Sequence, residues 1–132
     1  MKHFYILLLF FIYSLRIAAY TSDSFDQNRI APKHEVRAVW LTTIGGIDWP
    51  HSYAQTSTSI EKQKNELRRI LNQLQSAGIN TVLLQTRVRG TVIYPSAIEP
   101  WDGCLSGRPG VSPGYDAPQF AIDECHRRGT AL

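Results

Sequence analysis

Three polar side chains recur at every second position near the end of an apolar run. Gln85, Arg87 and Arg89 follow residues 82–84, and the two-residue period of an extended strand places all three on one side. A guanidinium group offers a fixed fork of N–H donors, and a carboxamide adds both donors and an acceptor. This combination suits polyhydroxylated or carboxylated ligands. The alternative is structural: one of the arginines pairs with a nearby carboxylate.

The stretch that follows carries aromatic side chains beside polar ones. Tyr94 and Trp101 stand near Ser96, Glu99 and Asp102. Aromatic rings pack on apolar C–H faces while polar groups take hydroxyls, so this mixture is typical of sugar-binding sites. The two rings can equally serve to anchor a loop to the fold, and both interpretations stay open here.

Cleavage of a glycosidic bond needs two flanking carboxyl groups, one of them able to hold a proton. Asp48, Glu99 and Asp102 are available, but none has a second acid beside it at a strand end, and Asp116 is better explained as a helix cap. We therefore predict no catalytic residue. The histidines lack metal-ligand spacing, and no nucleotide-binding glycine motif follows the first strand. No metal or cofactor is expected.

Strand and helix patterns alternate along the chain, which predicts right-handed βαβ units and a parallel sheet. In such sheets ligands meet the carboxyl ends of the strands, and Trp40 near the end of the first strand is a further candidate contact. Thr58 and Glu61 have the spacing of a capping box. The predicted elements are a strand at 36–43, a helix at 58–77, a strand at 79–86, a long loop at 87–115, a helix from 116 to 128 and the start of a third strand at 130–132.

The first 19 residues have the layout of a secretory signal peptide: a basic start with Lys2, a long apolar run and small residues at its end. The run is too short for comfortable membrane spanning, which takes about 20 apolar residues. We expect Sec export to the periplasm or the extracellular space, with membrane contact only if the leader stays uncleaved. Residues 20–33 are polar and aperiodic, as expected of a linker.

The composition limits what the remaining residues can form. Of 132 residues, 43% are hydrophobic, which is ordinary for a globular protein. Part of the net charge of +3 lies in the leader, and no basic stripe suggests nucleic acid. About 110 residues suffice for one small domain but not for a complete barrel of about 250. For Cys104 and Cys125, one buried thiol and one loop thiol are favoured over a disulfide.

Three segments carry a family resemblance: EVRAVWLTTIGGIDWP (35–50), NTVLLQTRVRGTVIYPSAIEPWDGCLSG (80–107) and SPGYDAPQFAIDECHRRG (112–129). They resemble the N-terminal part of the glycosyl-hydrolase-like 10 domain family. The resemblance implies a bacterial, exported protein with a TIM-type (β/α)8 barrel and a glycosidase activity on a poly- or oligosaccharide. The candidate substrate contacts that fall in the matched segments are Trp40, Gln85, Arg87, Tyr94 and Trp101.

In barrels of this kind the presumed catalytic acids lie on later strands. We therefore expect residues 34–132 to be the N-terminal βαβα portion of such a barrel, truncated before the third strand is complete and without its catalytic acids. Two alternatives remain, a non-catalytic glycan-binding module and a non-functional truncation.

Overall fold

The computed structural model describes residues 35–132, so the predicted leader and linker lie outside the described residues. Within this range no helix is long and apolar enough to cross a membrane. The elements are β1 (Ala38–Leu41), a 3-10 turn (Ile44–Gly46), α1 (Ser57–Ser76), β2 (Thr81–Leu84), β3 (Arg87–Val88), β4 (Thr91–Val92), α2 (Gly103–Ser106) and α3 (Ala117–His126).

A short parallel sheet forms the centre of this mixed α/β unit. β1 and β2 pair in parallel from Ala38 opposite Thr81 to the ends of both strands. On the other edge of β2, Ala131 forms a parallel bridge with Thr81, and the N–H of Val82 donates to the Ala131 carbonyl at 2.8 Å. The predicted parallel order of strands is therefore confirmed, and residue 131 lies where the third strand was expected to begin.

The two faces of the sheet have different surroundings. Leu41 and Val82 point into the core, which they share with Leu67 and Leu71 of α1 and with α3. On the opposite face Trp40 is 59% exposed and its register partner Leu83 is 47% exposed. A continuous apolar run such as residues 82–84 is typical of a strand buried on both faces, but Leu83 is exposed because, in the described part of the chain, helices cover only one face of the sheet.

The first long helix begins earlier than the sequence pattern indicates. Thr56 is the N-cap, and its hydroxyl accepts from the Ser59 N–H at 3.2 Å while the Ser59 hydroxyl accepts from the Thr56 N–H at 2.8 Å. The predicted box of Thr58 and Glu61 is wrong, because a serine hydroxyl fills the reciprocal role. Glu61 instead pairs with Lys64 one turn along the helix.

The predicted long loop contains regular structure. β3 and β4 form an antiparallel hairpin, and its two-residue turn has Arg89 at φ +52° and Gly90 at φ +75°. Both residues are left-handed, as the tight hairpin turn that matches strand twist requires. Cys104 lies in the short helix α2 rather than in a loop, and both it and Cys125 are buried free thiols.

A buried carboxylate joins the two long helices. Glu124 of α3 is 2% exposed and accepts from Arg68 of α1 at 2.8 Å, from Arg127 at 2.6 Å and from Arg128 at 2.7 Å. Burial opposes ionisation, but the hydrogen bonds from Arg128 and Arg68 outweigh it and lower the pKa of Glu124. The carboxylate is therefore charged and paired, and it connects α1 to α3.

Replacing Glu124 with glutamine should destabilise the fold. Removing one partner of a buried ion pair costs about 3–5 kcal/mol, and because Arg68 and Arg127 keep contact with water we expect about 2–3 kcal/mol. The folded pKa lies below the unfolded one, so this contribution is present at neutral pH and is lost as the pH falls through the folded value. Urea unfolding at several pH values measures both effects.

Asp123→Asn is the matched control, since Asp123 is the exposed neighbour on the same helix. It should change the free energy of unfolding by no more than about 0.5 kcal/mol. Equal losses for both variants, or a loss at Glu124 that does not shrink on acidification, would contradict a specific ion-pair role.

Candidate ligand-binding cleft

The loops that follow β1 and β2 face each other across a cleft of about 620 Å³. The first loop contributes one wall and the second loop the other, and in parallel α/β folds this edge of the sheet is where ligands bind. Residues of the first loop in the lining are Gly45, Gly46, Pro50, His51, Ser52 and Tyr53; those of the second are Arg89, Asp102, Gly103, Cys104, Gly107 and Pro109.

A fully buried glutamine of α1 holds both walls of the cleft. The Gln63 amide N–H groups donate to the Leu105 carbonyl at 2.7 Å and to the Ser52 carbonyl, and the amide oxygen accepts from the Tyr115 hydroxyl at 2.9 Å. The backbone carbonyl of Gln63 also accepts from the Trp49 indole at 3.0 Å. One side chain thus fixes segments from both loops against the same helix turn.

Sequence reasoning missed Gln63, although a signal was present. Gln63 lies on the same face as Ile60 and Leu67, at the three- and four-residue steps of the apolar stripe of α1. A polar side chain on a stripe that faces the core must be hydrogen-bonded there. Its partners lie in distant loops, so the sequence marks the residue but not its contacts.

Gln85, a predicted ligand contact, fastens the turn after β1. Its side-chain oxygen accepts from the Thr42 hydroxyl at 2.5 Å and from the N–H groups of Thr43 and Ile44, both at 3.1 Å. The Gln85 backbone carbonyl accepts from the Thr43 hydroxyl at 2.9 Å. The acceptor oxygen is therefore occupied, and the two amide N–H groups are what Gln85 has to offer a ligand.

Arg87 forms the ion pair that was the structural alternative. Its Nε donates to both carboxylate oxygens of Glu99 at 2.8 Å, and Nη2 donates to one of them at 2.5 Å. The hydrogen bond from Arg87 lowers the pKa of Glu99. This fork joins β3 to the segment before Trp101. A ligand contact by Arg87 stays a prediction.

The predicted aromatic contacts lie outside the lining of this cleft. Tyr94 and Trp101 are half-buried. The backbone of Trp101 forms a parallel bridge with Val92, and the Trp101 carbonyl accepts from the Gly110 N–H at 2.8 Å. Trp40 lies on the exposed face of the sheet. None of the five predicted contact residues is part of the cleft lining, so their roles toward substrate stay predictions.

Arg89 and Asp102 bring opposite charges to the second wall. The prediction that Arg89 shares a side with Gln85 and Arg87 fails, because the hairpin turn interrupts the strand at Arg89. Asp102 accepts from the Thr91 hydroxyl at 2.5 Å and from the Cys104 N–H at 2.8 Å. Burial alone would raise the pKa of Asp102, but these hydrogen bonds and the charge of Arg89 lower it.

A histidine–glutamate pair stands on the first wall. The backbone N–H of His51 donates to Glu66 Oε2 at 3.1 Å, and Nδ1 of the His51 ring is hydrogen-bonded to Oε1 of the same carboxylate. This side-chain hydrogen bond and the charge of Glu66 raise the pKa of His51. Across residues 35–132, no group of three or more His, Cys, Asp or Glu side chains is arranged to hold a metal ion.

The parallel βαβ order and the cleft at the strand ends define an α/β protein whose βα loops form a candidate ligand site. Residues 35–132 match the sequence model of the family described as Glycosyl hydrolase-like 10. The chain belongs to this family, and the resemblance seen in its segments is confirmed.

Curated relatives carry glycosyl hydrolase names. The chain is 38% identical over 98 residues to "Glycosyl hydrolase DigH" of Escherichia coli (strain K12), covering 71% of this chain and 22% of the relative. It is 39% identical over 94 residues to "Glycosyl hydrolase YngK" of Bacillus subtilis (strain 168), covering 71% of this chain and 18% of the relative. The chain thus spans about a fifth of the length of these relatives.

Replacing Gln63 with leucine should loosen both walls of the cleft. The change leaves the Ser52 carbonyl and the Tyr115 hydroxyl without this partner, while the Leu105 carbonyl keeps only the Ala54 N–H. Each unsatisfied buried group costs about 1–3 kcal/mol. We expect a loss of at least about 2 kcal/mol in urea unfolding, together with faster amide hydrogen exchange at Ala54 and Gly107, whose N–H groups donate to the carbonyls of Leu105 and Gly103.

Gln73→Leu tests whether this loss is specific, because Gln73 lies on the exposed face of the same helix. It should change stability by about 0.5 kcal/mol or less. Equal effects of the two substitutions, or unchanged exchange at both walls in the Gln63 variant, would show that the amide does not fix the loops.

The pKa of His51 is a second test of the geometry. Nuclear magnetic resonance titration should place it above the usual histidine value. Glu66→Gln should bring it down toward that value, because the carboxylate that stabilises the charged ring is gone. Glu61→Gln, on the exposed side of the same helix, should leave it unchanged. A His51 pKa that is the same in Glu66→Gln as in the unchanged protein would refute the pairing.

Proposed function

We propose that this chain is the N-terminal βαβα portion of a (β/α)8 barrel in an exported bacterial glycoside hydrolase that acts on a poly- or oligosaccharide. The observation that carries this proposal is family membership across all of residues 35–132. The parallel pairing of β1 with β2, and of β2 with residue 131, supports it, since a barrel of this type is built by repeating that unit.

The exposed sheet face supports a barrel over a stand-alone glycan-binding module. Trp40 and Leu83 lie side by side on the face away from the helices, and Val36, shortly before Trp40 in sequence, is 70% exposed. In a closed barrel the face opposite the helices is filled by inward-pointing apolar side chains. A stand-alone module would leave this apolar patch in water.

We place the catalytic acids outside this chain. A general acid must hold a proton near neutral pH, which requires a raised pKa. The pKa values of Glu99, Asp102 and Glu124 are all lowered by hydrogen-bond donors, which favours the ionised form of each. What these residues supply is binding and structure: an ion pair, a helix cap and an interhelical link.

Export is part of the same proposal. It is supported by the signal-peptide pattern of residues 1–19 and the polar stretch of residues 20–33. Peptide mapping of the protein recovered from the periplasm or medium should find its first residue near position 20. An intact leader in a cytoplasmic protein would contradict export.

The enzymatic part is tested with two proteins, the 132-residue chain and the product of its reading frame continued past codon 132. The longer product should release reducing sugar from a bacterial or plant polysaccharide panel, and the chain alone should not. Hydrolysis by the chain alone that disappears in Glu99→Gln but persists in Glu61→Gln would refute our placement of the acids. A longer product that cleaves no glycoside would refute the hydrolase assignment.

A further inference from the structure

Tyr53 presents an aromatic ring to the cleft. Its side chain lines the first wall, yet the residue remains 57% exposed. Large aromatic side chains are usually buried in folded proteins, so one held at the wall of a cleft is a candidate contact for a ligand with an apolar face. It is not among the contacts that the sequence predicts.

The ring is held in place by a glycine of the opposite wall. A Cβ atom at Gly107 would lie 2.8 Å from Cγ and 2.9 Å from Cδ2 of Tyr53, so the ring packs directly on the Gly107 backbone. Gly107 has φ +78° and ends α2. Both the contact and the backbone angle require glycine here, and they fix one side of the ring while the rest stays exposed.

The backbone on either side of Tyr53 is tethered as well. The preceding carbonyl, of Ser52, accepts from the buried Gln63 amide. The following N–H, of Ala54, donates to the Leu105 carbonyl at 2.7 Å. The ring is thus positioned before any ligand arrives, which reduces the entropy lost on binding.

Polar groups line the same cleft. Arg89 supplies guanidinium N–H donors, and the ionised Asp102 retains acceptor capacity beyond its two hydrogen bonds. A volume of about 620 Å³ is within the usual range for small-molecule sites. An aromatic surface together with a donor and an acceptor matches a pyranose, which has an apolar C–H face and a rim of hydroxyls.

We propose that Tyr53 is a stacking platform for a sugar ring of the glycan, positioned by Gly107, with Arg89 and Asp102 binding the hydroxyls of the same sugar. This assignment rests on the proposed function, because it takes the ligand to be a carbohydrate. It adds a binding subsite made by the two βα loops. Gly107 is a positioning residue, since it acts through the ring.

Calorimetric binding of cellohexaose and chitohexaose to the chain tests this role. Tyr53→Ala and Tyr53→Leu should each weaken binding about tenfold, the size expected for an aromatic contact. Tyr53→Phe keeps the ring and should stay within about twofold. Ile47→Ala removes another exposed apolar side chain of the same loop, 68% exposed and outside the cleft lining, and should bind like the unchanged protein.

A double-substitution cycle separates positioning from general damage to the fold. Gly107→Ala should also weaken binding, because the new methyl group displaces the ring. In Tyr53→Ala the part of the loss that comes from the displaced ring should vanish, whereas the strain of alanine at φ +78° lowers the free energy of unfolding in both backgrounds. With both proteins kept folded, as urea unfolding checks, the double variant should bind no more weakly than Tyr53→Ala alone. Additive losses would show that Gly107 acts by some route other than the ring.

The outcomes distinguish this subsite from the wider proposal. Equal binding by the unchanged chain and Tyr53→Leu overturns the platform and leaves the hydrolase assignment standing. An unchanged chain that binds neither hexasaccharide overturns the platform too, whereas the hydrolase assignment is then decided by the longer product and its release of reducing sugar.

Discussion

The structure depends most on one buried carboxamide. Burying an amide is unfavourable unless its polar atoms are satisfied, and Gln63 satisfies them with partners from three separate segments. Because these partners are the carbonyls of Ser52 and Leu105 and the hydroxyl of Tyr115, α1 sets the positions of both loops beyond the strand ends. A hydrocarbon side chain at this site would fill the same space but would not hydrogen-bond the two loops to α1.

With the loops fixed in this way, the groups that line the cleft come from the loops and not from the strand ends. At the end of β2 the Gln85 oxygen is taken up by three donors of the turn after β1, and Arg87 is taken up by Glu99. These strand-end groups stabilise backbone, and it is the loop residues Tyr53 and Arg89 that face the cleft. The shape of the cleft at this edge therefore depends on how firmly the loops are held.

The spacing of apolar residues predicted the strands and the two long helices, and the alternation of these elements predicted their parallel order. They did not predict the hairpin, because its two strands have only two residues each and lie in the segment 87–115 that was predicted as a long loop. Nor did they place the capping box, since Thr56 with Ser59 and Thr58 with Glu61 are both plausible hydroxyl-based caps. The cleft lining was also missed, because it joins residues about 40 to 60 positions apart through backbone carbonyls, which carry no sequence signal.

The ionisation of the charged groups that line the cleft limits the chemistry that these groups can perform. Asp102 lines it but caps α2 and accepts from Thr91, so its pKa is lowered and its proton is absent at neutral pH. His51 is biased the other way, toward the charged ring, by Glu66. An ionised acid and an imidazole whose charged form is favoured lie on facing walls, and such groups can orient hydroxyls and carboxylates. Asp102, whose ionised form is favoured, is poorly suited to donate a proton during bond cleavage, which supports our proposal that the catalytic acids lie on later strands.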